Sequence, residues 1–190
     1  MSTAGGVAFA AALTVAVAQE PAVTLRLSHG YAASHPLHTA LMEWAASVVQ
    51  GSKDTIAIRV HPDQQLGKAF DHYDMARTGA VDIALATPGL QIGRFPLIAA
   101  GELPLLIANA IGGSAALDAW YRAHAVQEMP DVKFCLAFVH DPGTIHAVKR
   151  KIAAPADIRG AKIRTAQNTI AAFVTLLGGS TVLLEARGLL

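Results

Sequence analysis

From residue 23 to residue 86 the chain alternates short runs of period two with longer runs of period 3.6, and no other feature restricts its fold so tightly. A strand with one buried face is apolar at every second position, whereas a helix packed on a sheet is apolar at every third and fourth. Strands that alternate with helices make parallel β-α-β units, because a parallel return needs a crossover and a helix supplies it. VTLRLS at 23–28 predicts the first strand. Pro36 suits a first helical position, and Leu37, Ala40, Leu41, Trp44, Ala45 and Val48 fall on one stripe, which predicts a helix closed by Gly51 and Ser52. TIAIRV at 55–60 predicts a second strand, residues 66–78 a second helix capped by Gly79, and VDIALA at 81–86 a third strand.

The pattern then loosens, with turn and helix-start signals at Pro88-Gly89, Phe95-Pro96 and the ELP of 102–104. Ser114 is expected to open a helix reaching about Gln127, residues 132–139 to form a strand, and Asp141-Pro142-Gly143 to turn. A shorter series follows: a strand at 145–149, a turn-rich stretch at 154–160 and a strand at 161–164. Asn168 is expected to cap a helix that runs to about Leu177 and ends at Gly178-Gly179, and a last strand begins at Thr181. The turn at 141–144 is the expected boundary between a first α/β lobe, 19–143, and part of a second, 144–190.

Composition narrows the function classes. Hydrophobic residues make up 53% of the chain and charged ones 15%, which argues for a packed core. The formal net charge is +1 with the basic residues scattered, so nothing marks a nucleic-acid partner. Cys135 is the single cysteine, has no disulfide partner, and is expected in the core because its run, KFCLAFV, is apolar. Residues 7–18 form an apolar run ending in Ala16-Val17-Ala18, a small-x-small pattern that predicts a signal peptide cleaved after Ala18. The start lacks the basic residues such a signal usually carries.

Eight histidines invite a metal reading, with His29, His35 and His38 clustered at a strand end and helix entrance. Zinc needs several ligands converging at about 2.0–2.1 Å, and neither HExxH nor His-x-His is present, so these residues are expected as turn and cap histidines. No Gly-x-Ser-x-Gly, phosphate loop or dinucleotide fingerprint occurs. The expectation is therefore no catalysis, no cofactor and no structural metal. Trp44, Trp120 and Tyr121 sit at helical spacing among apolar neighbours and are expected in the core. Arg164 differs, because it ends a short strand and a helix begins within four residues. Ligands of open α/β sheets bind beyond the carboxyl ends of strands, where a helix N-terminus favours an anion and a guanidinium can grip a carboxylate with two hydrogen bonds. A structural ion pair is the equally open alternative for Arg164.

Several short signatures now fall in one order: LRLSH at 25–29, SHPLH at 34–38, QQLG at 64–67, TGAVDIA at 78–84, RFPL at 94–97, ELP at 102–104, FVHDPG at 138–143, PADIRGAKIRT at 155–165 and LGG at 177–179. In order and spacing the chain resembles the solute-binding subunits of tripartite ATP-independent periplasmic (TRAP) transporters, in particular the dicarboxylate-type group. That resemblance implies a two-lobed α/β fold of the periplasmic-binding-protein type (type II), with most of the second lobe lying beyond residue 190. It implies capture of a small organic carboxylate and delivery to integral-membrane transporter subunits. Arg164 matches the family's carboxylate-clamping arginine; His29 and Thr87 would face the cleft from the first lobe, and Gln167 and Asn168 from the second. Thr144 stands where some sugar-acid-binding members carry a second arginine. The alternatives are a binding protein of an ATP-driven importer and a periplasmic metal-dependent hydrolase using His29 to His38.

Overall fold

The computed structural model describes residues 21–183 apart from 92, 149 and 166; the predicted signal peptide and the final residues of the chain lie outside the described residues. The expected β-α-β-α-β series is present as β1 (Val23–Ser28), α1 (Pro36–Gly51), β2 (Ile56–His61), α2 (His72–Arg77) and β3 (Ile83–Ala84). The three strands pair in parallel in the order β2-β1-β3, with Val23 opposite Ile56 and Leu27 opposite Ile83. Pro36 opens α1 as predicted, and the His35 ring accepts a hydrogen bond from the Leu37 N–H, taking the place of the usual hydroxyl or carboxyl cap.

Two elements are shorter than their periodicity suggests. The second helix reduces to a 3-10 turn at Ala69–Asp71 followed by α2. The third strand keeps two residues, because Val81 N–H turns back to the Met75 carbonyl while the Asp82 carboxylate accepts from Arg26 N–H and from the Arg26 guanidinium. A side chain that takes a strand's backbone donor ends the ladder at that point.

The third long helix begins earlier than Ser114. It is α3 (Ala110–Tyr121), and Asn109 caps it by accepting from Gly112 N–H at 2.8 Å while Asp141 accepts from Ala110 N–H at 2.7 Å. A single turn, α4 (Ala125–Glu128), follows. Ser114 is thus interior, and its hydroxyl bonds the Val139 carbonyl and receives the Val139 N–H. That contact explains why the strand expected at 132–139 does not form. The segment lies along α3, and side chains of α3 and of its C-cap take its backbone groups: Asp118 accepts from Ala137 N–H and Arg122 donates to the Cys135 carbonyl. Phe134 and Ala137 face inward from it, whereas Cys135 is exposed, correcting its assignment to the core.

The core of this part gathers Tyr73, Phe95, Tyr121, Ala125 and Met129, with the Tyr121 hydroxyl donating to Glu128. Trp120 is 41% exposed and rests on the His124 ring, so it is a surface residue and not a core one. Residues 145–148 form no strand either. A second parallel pair, β4 (Lys162–Thr165) and β5 (Ser180–Leu183), flanks α5 (Asn168–Leu176), and Arg164 stands opposite Val182. Gln167 is the N-cap of α5; Asn168 is its first residue and does not cap it.

Candidate functional site

The carboxyl ends of β1 and β3 lie side by side, since the chain register joins Ser28 to Ala84 and Leu85 N–H to the Ser28 carbonyl. His29 follows β1 directly and Thr87 stands three residues beyond β3, at the entrance to a 3-10 turn of Pro88–Leu90. The turn after β2 is tied to the segment after β1: Asp63 N–H donates to the Tyr31 carbonyl and Gln64 N–H to the His29 carbonyl.

His29 is fully buried, and its ring atoms are engaged. Nδ1 accepts from Tyr31 N–H at 3.2 Å, so in the neutral ring Nε2 carries the proton and donates to His38 Nδ1 at 3.0 Å. Burial, aided by the neighbouring His38, His72 and His35, lowers its pKa from 6.5 to about 4 and keeps it neutral. A second buried imidazole, His72, donates from Nδ1 to the Leu85 carbonyl and accepts at Nε2 from the Ser28 hydroxyl. Burial lowers its pKa as well. His35 serves as a helix cap and stacks on Tyr31. Among the described residues no group of three or more His, Cys, Asp or Glu side chains converges as a metal cage would require.

The start of α5 meets the segment that follows β3. Asn168 Nδ2 donates to the Gly89 carbonyl at 3.1 Å, and the Thr169 hydroxyl donates to Glu102 Oε2 at 3.1 Å. The approach is close: a Cβ at position 89 would stand 2.2 Å from Glu102 Oε1 and 2.9 Å from Gln167 Cγ, so a larger residue there would displace the Glu102 side chain. A recess of about 90 Å³ opens at this junction, with Phe95, Pro96 and Ala99 on its apolar side and Glu102, Asn168 and Thr169 on its polar side. Burial raises the Glu102 carboxyl above its ordinary pKa, against the lowering effects of the Thr169 hydroxyl and His140. Arg164, half-buried, precedes this junction on β4. Beside it the Thr165 hydroxyl is 1% exposed and lacks a hydrogen-bond partner among the described residues.

Of the residues singled out from sequence, Gln167 and Asn168 are brought against Gly89, two positions past Thr87, while His29 points into its own buried network. Glu102 and Thr169 went unnoticed, since no local pattern announces a pair 67 residues apart.

Residues 27–182 match the DctP family, bacterial extracellular solute-binding protein family 7. The chain belongs to this family. Its members are bacterial extracellular solute-binding proteins. A solved TRAP solute-binding protein from Rhodoferax ferrireducens, in complex with copurified benzoate, is 30% identical with a TM-score of 0.78, over 85% of this chain and 51% of that one. A marine-metagenome TRAP solute-binding protein specific for aromatic acid ligands, co-crystallised with 3-hydroxybenzoate, is 29% identical with a TM-score of 0.83, over 90% and 53%. An uncharacterised protein of Sinorhizobium fredii is 32% identical over 144 residues, 75% of this chain and 27% of that protein. The chain thus spans about half the length of these solved solute-binding proteins, and its fold class is theirs: α/β, periplasmic-binding-protein-like, type II.

Proposed function

We propose that this chain is the ligand-capturing part of a periplasmic protein that binds a small organic carboxylate and delivers it to the membrane permease of a TRAP-type transporter. It acts without catalysis, cofactor or metal. The observation that carries the reading is the junction at α5. A strand bearing Arg164 leads within four residues into a helix whose first residues, Asn168 and Thr169, are bonded to the chain beyond β3. A guanidinium beside a helix N-terminus attracts a carboxylate twice over, by a bidentate hydrogen bond and by the helix dipole.

In this reading Arg164 orients the carboxylate, Gln167 and Asn168 approach the ligand from one side, and Thr87 from the other. His29 supports that side from beneath through His38. The boundary between lobes falls after residue 143. Benzoate and 3-hydroxybenzoate in the relatives make aromatic monoacids the first ligands to try. Export with cleavage after Ala18 belongs to the same proposal, and intact-mass measurement of periplasmic protein beginning at Gln19 checks it.

Thermal melting of the full-length protein against a panel of benzoate, mandelate, succinate and galacturonate tests the carboxylate reading. A ligand at a hundred times its Kd stabilises the folded state by about 2.7 kcal/mol. That corresponds to a rise of roughly 3–5 °C for a protein about twice the length of this chain. At least one acid should produce such a rise, and no shift with any carboxylate at millimolar concentration would remove the reading.

A further inference from the structure

We infer that Glu102 is a specificity-determining residue, one that makes the site accept monocarboxylates and reject dicarboxylates. The inference rests on the carboxylate reading above and adds to it the charge that the ligand must carry.

Glu102 lines the recess at the α5 junction, and one of its oxygens is held by the Thr169 hydroxyl. Thr169 is the second residue of α5, so this carboxylate already faces the helix end that favours negative charge. Among the described residues no ion pair involves Glu102. Its charge is therefore felt by whatever enters the recess. On the carboxylate reading, a ligand whose carboxylate is held by Arg164, four residues before the Asn168 that lines the recess, would turn its remaining part toward Phe95, Pro96 and Ala99, which suits an uncharged ring. A second carboxylate there would meet Glu102 within a few ångströms and out of bulk water, where like charges repel strongly. Burial, which raises the Glu102 pKa, reports the same poorly solvated surroundings.

Titration calorimetry at pH 7.5 with benzene-1,3-dicarboxylate and its monoamide, 3-carbamoylbenzoate, compares two probes of one shape that differ by one charge. The wild-type protein should bind the monoamide at least tenfold more tightly. Glu102→Gln should bring the two within threefold by strengthening the dianion, whereas Thr169→Val, which removes the hydrogen bond and keeps the charge, should retain the preference. Equal binding of both probes by the wild type, or an unchanged ratio in Glu102→Gln, would overturn the inference while leaving carboxylate capture intact. The wild-type ratio decides the matter should Glu102→Gln fail to fold. Binding of neither these probes nor benzoate would overturn the carboxylate reading and this inference with it.

Discussion

His29 shows how one residue can link burial to acidity. Its pKa falls from 6.5 in the open chain to about 4 in the folded protein, chiefly through burial. Between those values the unfolded chain takes up a proton that the folded chain refuses, so the stability present above pH 6.5 is lost as the pH falls toward 4. His72 is lowered too and adds a loss of the same sign. Melting temperature should therefore drop between pH 7 and pH 4.5, and His29→Gln, which cannot titrate, should flatten the drop without abolishing it. A slope identical to wild type would show that His29 is not its source. Sequence identified His29, His35 and His38 as neighbours, but His72 lies 44 residues from its Ser28 partner and carries no local signal. Arg164 stood out because strand end and helix start adjoin in sequence, whereas Gln167 and Asn168 were named only through the resemblance to the family; the ligand-binding roles of all three belong to the proposal. Glu102 was not legible, since its role comes from a contact that only the folded chain makes.

At the scale of elements, periodicity found those strands and helices whose bonds are made within the element or with a sheet neighbour. It failed where side chains took the backbone's partners, as at 132–139, and where a local carboxylate ended a ladder, as at Asp82. The start of α3 lies before Ser114, and its first turn holds Gly112 and Gly113, residues of low helix propensity. Gly113 is buried where a Cβ would come within 2.4 Å of Ile107 Cγ2 and 2.9 Å of Val139 Cγ2. Gly112 is exposed and would meet nothing nearer than Asn109 Oδ1 at 3.4 Å. Alanine in a helix gains about 0.5–1 kcal/mol over glycine, whereas overpacking costs about 1–3 kcal/mol. The clash should win at one site and be absent at the other. Chemical denaturation should find Gly113→Ala destabilised by about 1–2 kcal/mol and Gly112→Ala slightly stabilised; equal effects would contradict the packing assigned to α3.

Across the whole molecule, protection should be uneven. Leu85 N–H is bonded to Ser28 within the β1–β3 junction, whereas residues 141–148 are exposed throughout. Segments with few buried contacts open at low cost, so hydrogen exchange should label 142–148 far sooner than β1 and the start of β2. Uniform protection would mean that this stretch packs as firmly as the sheets. What joins residue, element and molecule is the claim that the chain captures a carboxylate through Arg164. Calorimetry of the full-length protein with the monoacid that it binds best, in wild type, Arg164→Lys and Arg164→Ala, tests that claim most directly. Lysine keeps the charge but loses the planar fork, and truncating a buried charge partner costs about 2–5 kcal/mol of binding. The account predicts affinity falling in the order wild type, lysine, alanine; equal affinity in all three would contradict it.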